Sequence, residues 1–459
     1  MMTQQVSGYL RTYRWPLVAV SLLSIQALPL WAKGIGLALL IMLVWQEWHI
    51  GVVLVPMTAP LYLIPVAITD RAGVPLHEIV LLVTVACAGI GFIRQRDWPW
   101  RWHPFDVWIV LLLASATFSV IWVVPEGRGE ALRVWRWLIV EPIIWLLFVR
   151  HALMSGDMSK WLQRGMLVAG VVVAGLGVLQ FVGIDLVPLL GDKRAFSENV
   201  VATGNIRRVA SVYGHANNLG LFLERVWPFA VIGVLGMRPQ LNLRWLAVGV
   251  IALGILFSFS RGAWMGVALA TGLLVVWHLQ QRRAIPFVRL VGLVLVAGGA
   301  LVFVAVLTRG DSIGSIDARW LLWQESVTWL WQRPWGLGLG QFYFYHNPEY
   351  GRSIMDARLI GTSEQYASHP HNVVLDTWLN LGVVGVVVLG GMMWYVVRRS
   401  LAYGSAHLTI RAAGVMIVAA FVHGMVDQFW FVVDLMYCFW VAVALILYDK
   451  VDMPDNGRL

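Results

Sequence analysis

One pattern repeats along the chain: an apolar run approaching twenty residues, a short polar stretch often carrying arginine, then another apolar run. Such a run matches the ~20 residues that an α-helix needs to cross a hydrocarbon core of ~30 Å. In lipid, only helices and closed barrels satisfy their own backbone groups. Composition agrees, since 59% of the 459 residues are hydrophobic and 13% charged, against ~45–50% apolar in soluble domains. Mean hydropathy is +0.72. The expected fold is all-α, a polytopic membrane protein. With no internal repeat and no linker, residues 1–459 read as a single integral membrane domain.

The runs fall at 16–31, 35–45, 52–69, 76–93, 106–124, 132–149, 162–183, 216–235, 243–259, 262–279, 285–307, 373–397, 412–425 and 429–447. The second is too short to span comfortably, so it is read as re-entrant or as pairing with its neighbour, and the count as twelve to fourteen. An even number places both termini on one side. The basic residues of the short connections (Arg94, Arg96 and Arg101; Arg150, Lys160 and Arg164; Arg238 and Arg244; Arg282 and Arg283; Arg398 and Arg399) mark that side as the cytoplasm. Arg11 and Arg14 precede the first run without a small-residue cleavage site, so no cleavable signal is expected. The expected location is the cytoplasmic (inner) membrane.

Two longer segments, 184–215 and 308–372, then lie on the extracytoplasmic side, the second a large loop containing short helices and rich in tryptophan. The net charge of +9 is explained in part by topology, because basic residues gather between spans; nucleic acid is not an expected partner. Cys87 and Cys438 both lie within apolar runs and give neither a disulfide framework nor a metal site.

The segment His369-Pro370-His371-Asn372 stands where the large loop enters an apolar helix. An imidazole with an ordinary pKa of about 6.5 can accept a proton from an attacking hydroxyl, which makes His371 a candidate catalytic base; helix capping is the plainer alternative. Arg261, in Ser258-Phe259-Ser260-Arg261-Gly262, joins two apolar runs at their outer ends. There a guanidinium either grips phosphate oxygens or snorkels to lipid headgroups, and the small flanking residues favour close approach of a ligand. Arg208 opens a segment that descends into a helix at Asn217 and Asn218, which are candidate caps or, with Arg208, an anion site. His369 and His371 lack a third metal ligand nearby in sequence, so no metal is expected. Glu141, inside an apolar run, should pair with Arg133 or Arg136. His423 and Asp427, one turn apart, should share a helix face in a supporting role.

Taken in order, these segments resemble the bacterial O-antigen ligase and polymerase superfamily, polytopic membrane glycosyltransferases that also include protein O-oligosaccharyltransferases. His371-Asn372, followed after nine residues by Gly382 and after two more by Gly385, is similar to the family's His-led signature. Ser260-Arg261-Gly262-Ala263, the Arg208 to Asn217 segment, and Arg319-Trp320 with Pro334, Gly336 and Gly338 also look like family segments; together they span roughly residues 200 to 430. The resemblance implies an undecaprenyl-diphosphate-linked glycan donor, with Arg208 and Arg261 on the diphosphate. It implies His371 acting at an acceptor hydroxyl, inversion by single displacement, and neither metal nor cofactor. Asn217, Asn372, Arg319, His369 and Asp427 stand as supporting residues. His215 departs from the usual pattern, and His369 is a second candidate base.

Implied acceptors are another glycan repeat, a lipid-core sugar or a protein hydroxyl, with an O-antigen ligase-like activity in cell-surface polysaccharide synthesis foremost and a repeat-unit polymerase or protein oligosaccharyltransferase next. A transporter or flippase is the alternative of another class. It would place ionisable residues near the bilayer midplane, whereas these candidates gather at outer helix ends.

Overall fold

The computed structural model describes residues 2–69, 72–95, 102–154, 157–184, 186, 208–235, 242–281, 315–404 and 407–448. The expected span at 285–307 and most of the 184–215 segment lie outside the described residues.

Helices dominate. Helix α1 (Met2–Ala27) and α2 (Leu30–Gln46) pair side by side, with the Ser21 hydroxyl donating to the Gly36 carbonyl at 2.8 Å. The short second run therefore packs on its neighbour, as its length suggested. Helix α3 (His49–Thr58) does not continue to residue 69 as read from hydropathy. Pro60 and Pro65 break it, because proline removes a backbone donor and biases the residue before it towards extended backbone. A two-stranded antiparallel hairpin follows, β1 (Val66–Thr69) with β2 (Ala72–Val74), the one departure from an all-α fold among the described residues.

Helices α4 (Leu76–Gln95), α5 (Asp106–Ser119), α6 (Arg128–Val134), α7 (Glu141–Leu153) and α8 (Met158–Phe181) come next. A π-helical turn over Trp135–Val140 links α6 to α7, and Arg136 there reaches Glu141 at 3.4 Å and Glu78 at 2.9 Å. Arg133 pairs with Glu130 instead. Helices α9 (Ala216–Val234), α10 (Leu243–Ser258) and α11 (Arg261–Gln281) complete the first part. The large loop carries α12 (Ser315–Gln332) and α13 (Phe342–His346), then α14 (Val373–Tyr403), α15 (Leu408–Gly424) and α16 (Val433–Tyr448) close the chain.

Helix α16 is buried at every position from Val433 to Leu447 and packs against α3, α7, α9, α14 and α15, as expected for a helix apolar all round. Around it, large apolar side chains such as Leu23, Leu82, Phe118, Val172 and Val387 face outward, where only lipid would cover them. Three described helices, Leu76–Arg94, Met158–Phe181 and Val373–Tyr403, are long and apolar enough to cross a membrane, and six shorter apolar helices accompany them. The loop after α11 has its own small core, in which Leu322, Trp329, Phe342, Tyr345 and Leu359 pack with Leu379 of α14.

Helix α14 is kinked at Gly382, whose φ of 72° lies in the left-handed region. The Pro334–Gly338 turn of the loop docks there. The Leu337 and Gly338 amides donate to the Leu379 carbonyl at 2.7 and 3.1 Å, and the Val383 amide donates to the Pro334 carbonyl at 3.3 Å. Gly336 (φ 83°) permits the approach, since a Cβ there would lie 2.6 Å from the carbonyl oxygens of both Trp378 and Leu379. Two glycine-bearing segments singled out in the sequence thus meet each other, and their role is to join loop to helix.

Candidate active site

His371 precedes α14 in a left-handed conformation (φ 52°), and Asn372 caps the helix, its side chain accepting from the Val374 and Leu375 amides at 3.0 and 3.1 Å. The Asn372 amide group also donates to the Met425 carbonyl at 2.9 Å, drawing in the turn after α15. That turn delivers Asp427. His371 Nδ1 lies 3.3 Å from Asp427 Oδ1, and its Nε2 lies 3.2 Å from Glu364 Oε2. Arg319 of α12 approaches the other Asp427 oxygen at 3.4 Å, while the neighbouring Trp323 indole donates to the Pro370 carbonyl at 2.9 Å.

Burial alone would lower the His371 pKa, but hydrogen bonds to Asp427 and Glu364 and their charges outweigh it and raise it to about 9. At neutral pH the ring is therefore an imidazolium, whereas a base must be neutral. Burial works against ionised Asp427, yet its bond to His371 and the nearby positive charges hold its pKa well below the ordinary value. Glu364 is lowered in the same way, burial opposing and His371 prevailing. His369, tilted on His371 with ring centroids 4.2 Å apart, is kept neutral by burial and then by the His371 charge.

The fold supplies the third metal-type ligand that the sequence lacked: His369, His371 and Asp427 each bring one ligand atom to within 4.8 Å of the others. The same geometry engages both His371 nitrogens with carboxylates and sets Arg319 beside Asp427, an arrangement that a proton on His371 already balances.

Arg208 docks on the end of α10, three residues before Arg261 opens α11. Its Nε donates to the Ser258 carbonyl at 3.0 Å, and its Nη2 donates to the Asn217 side chain at 2.9 Å. The Val209 amide donates to the Phe257 carbonyl at 3.1 Å, so the segment also satisfies the open carbonyl end of α10. Phe259, left-handed at φ 48°, reverses the chain within two residues and makes half-buried Arg261 the first residue of α11. Asn217 is thereby an arginine partner. The cap of α9 is His215, whose Nδ1 accepts from the Asn217 amide at 3.2 Å. Burial, then the Arg208 charge, lowers the His215 pKa, which suits a ring nitrogen that accepts.

The glycines beside Arg261 do not clear space for a ligand. A Cβ on Gly262 would lie 2.1 Å from His423 Nε2, and one on Gly266 would lie 2.1 Å from Glu224 Oε1. They admit a buried pair, His423 Nδ1 to Glu224 Oε2 at 2.5 Å. His423 and Asp427 consequently do not share a face, because α15 ends at Gly424 and the chain turns. His423 points to α9, and Asp427 points to His371.

Several residues holding the site in place were not singled out in the sequence. Buried Arg225 donates to the Phe429 carbonyl at 2.9 Å and so fixes the Asp427 turn. Gln180 accepts from the Ala210 and Ser211 amides, and Tyr213 donates to Asp434 at 2.7 Å, pinning the Arg208 segment to α8 and α16. Among the described residues, three non-glycines adopt positive φ: Ser211, Phe259 and His371. Each lies within or beside a site segment, and each such conformation stores about 1–3 kcal/mol of strain.

No curated protein matches the chain. Residues 246–390 match the family model described as O-antigen ligase. That segment contains Arg261, Arg319, His369, His371 and Asn372, while Arg208, Asn217 and Asp427 lie outside it. With three described helices long and apolar enough to cross a membrane, the chain is similar over residues 246–390 to the O-antigen ligase family.

Proposed function

We propose that the protein transfers a glycan from an undecaprenyl-diphosphate carrier to an acceptor hydroxyl at the extracytoplasmic face of the cytoplasmic membrane, in the manner of an O-antigen ligase. One observation carries the reading: Arg208, bonded to the Ser258 carbonyl three residues before Arg261, shares the neighbourhood of His215 with the histidine–carboxylate centre. His215 couples the two, since it caps the helix bearing Asn217 and feels the charges of Arg208, Asp427, His371 and Glu364. Arg208 and Arg261 bind the diphosphate and stabilise the charge that grows on it as the anomeric bond breaks. His371 is the catalytic centre at the acceptor side, held by Asp427, with Arg319, His369 and Asn372 shaping its surroundings and Asn217 orienting Arg208. A single in-line displacement inverts the anomeric carbon, and no metal or cofactor is required.

The test is transfer in liposomes from an undecaprenyl-diphosphate oligosaccharide, with and without a chelator. Wild type should release carrier diphosphate and form product with a glycan, lipid-core sugar or protein hydroxyl acceptor. Arg208→Ala and Arg261→Ala should each weaken donor use by roughly ten- to a hundredfold, the worth of one charge-assisted contact of about 1.5–3 kcal/mol. Movement of intact donor across the bilayer without transfer would refute the reading in favour of a flippase.

A further inference from the structure

Glu364 is the better placed of the two carboxylates to meet a substrate. Asp427 is 7% exposed at its side chain and is held by Arg319, His371 and the Gln428 amide, whereas Glu364 is 18% exposed. Glu364 is also built in with care. It lies in a 3-10 turn, Ser363–Tyr366, where the Thr362 hydroxyl accepts from its amide at 3.2 Å. Its carbonyl sits 2.9 Å from Nε2 of His346, whose Nδ1 lies 2.7 Å from Glu325 Oε2. Both His346 nitrogens face acceptors, so both donate, and a fully buried imidazolium paired with Glu325 fixes the Glu364 backbone.

In a nucleophile–histidine–carboxylate triad, one ring nitrogen faces the buried orienting carboxylate and the other faces the hydroxyl. Here Asp427 takes the first position, and a second carboxylate occupies the place of the hydroxyl. From this geometry we infer that Glu364, rather than the His371 ring, receives the acceptor proton.

The step balances without a further reactant. The acceptor oxygen forms its bond to the anomeric carbon as the bond from that carbon to the diphosphate oxygen breaks. The bonding pair leaves with the diphosphate, and the hydroxyl proton passes to the Glu364 carboxylate and later to water. His371 stays protonated throughout, donating to Asp427 and Glu364. Six described groups bear on it: Asp427 after α15, Glu364 in the 3-10 turn, Arg319 from α12, His215 at α9, His369 beside it and Asp376 in the first turn of α14.

This rests on the transferase reading, and the experiment separates the two. Wild type, Glu364→Gln and Glu364→Ala are compared in the liposome assay, with donor binding measured separately and rates followed from pH 5 to 10. Because general base catalysis contributes typically ~10²–10⁴-fold, Glu364→Gln should lose that much turnover at every pH while binding donor within about twofold of wild type. Added formate, a free carboxylate, should restore part of the Glu364→Ala rate. Wild-type rates should be flat through neutrality and fall as His371 loses its proton near pH 9. The inference is overturned if Glu364→Gln keeps a rate within tenfold of wild type, or if wild-type rate climbs about tenfold per pH unit from 6 to 9, the signature of neutral His371 as base. Glu364→Asp serves if either variant fails to fold: it keeps a carboxylate, so it should retain measurable turnover with the wild-type pH profile, and its complete inactivity when folded would also overturn the inference. Failure of wild type to transfer at all would instead refute the transferase reading.

Discussion

Replacing Gly336 by alanine tests the join between the large loop and α14. The change has two separable costs. At φ 83° any L-residue meets the left-handed penalty, and its Cβ would also press on two carbonyl oxygens of α14 at 2.6 Å. Gly361, at φ 77° with nothing within 4 Å of its would-be Cβ, meets the penalty alone. That shared part is about 1–2 kcal/mol. At Gly336 the backbone oxygens cannot swing away, so the turn must lift and give up the Leu337 and Gly338 bonds to Leu379, a residue that is almost wholly buried. Two lost bonds at about 1 kcal/mol each, with a buried carbonyl left open, bring the total to roughly 3–5 kcal/mol. Thermal midpoints of the purified variants in one detergent, read by near-ultraviolet circular dichroism, should fall slightly for Gly361→Ala and at least twice as far for Gly336→Ala. The Gly336 variant should also lose transfer activity disproportionately. Equal midpoints for the two variants would refute the argument that contact, and not backbone conformation, governs this position.

Two further outcomes follow from the site. The His371 pKa is raised from 6.5 to about 9, so its carboxylate contacts stabilise the fold fully below about pH 6.5, and that contribution is lost as pH rises through about 9; thermal midpoints should decline over that window in wild type and stay flatter in His371→Gln. Arg225→Met should cost roughly 1.5–3 kcal/mol, the worth of a charge-assisted hydrogen bond, and lower turnover more than donor binding, because Arg225 holds the Asp427 turn through Phe429.

Residues of the site that announce themselves in sequence are those at a change of environment. His371 and Asn372, Arg208, and Arg261 each stand where polar chain meets an apolar run. What they touch is set by tertiary folding, which periodicity does not encode. Glu364 sits in an irregular loop with no pattern around it, and its bond to His371 depends on a buried His346–Glu325 pair. Spacing misled at His423 and Asp427, since a four-residue interval means one helix face only while the helix continues. The hairpin after α3 was legible in Pro60 and Pro65, but hydropathy across 52–69 overrode them. The general preference of asparagine for caps points to Asn217, but His215 fills that position and leaves the Asn217 side chain to Arg208.

The stitching of the Pro334–Gly338 turn to the kink in α14 has a consequence for reach. Helix α14 is among those long enough to traverse a bilayer, and His371 stands at its head; for the transferase proposed here, loop and helix together then act as a ruler that sets the altitude of the reaction above the lipid. A donor tethered by its lipid presents its scissile bond at one level only. Acceptor choice then becomes a matter of stature: a hydroxyl is served when its own anchor lets it stand at that same level, whatever sugar or side chain carries it.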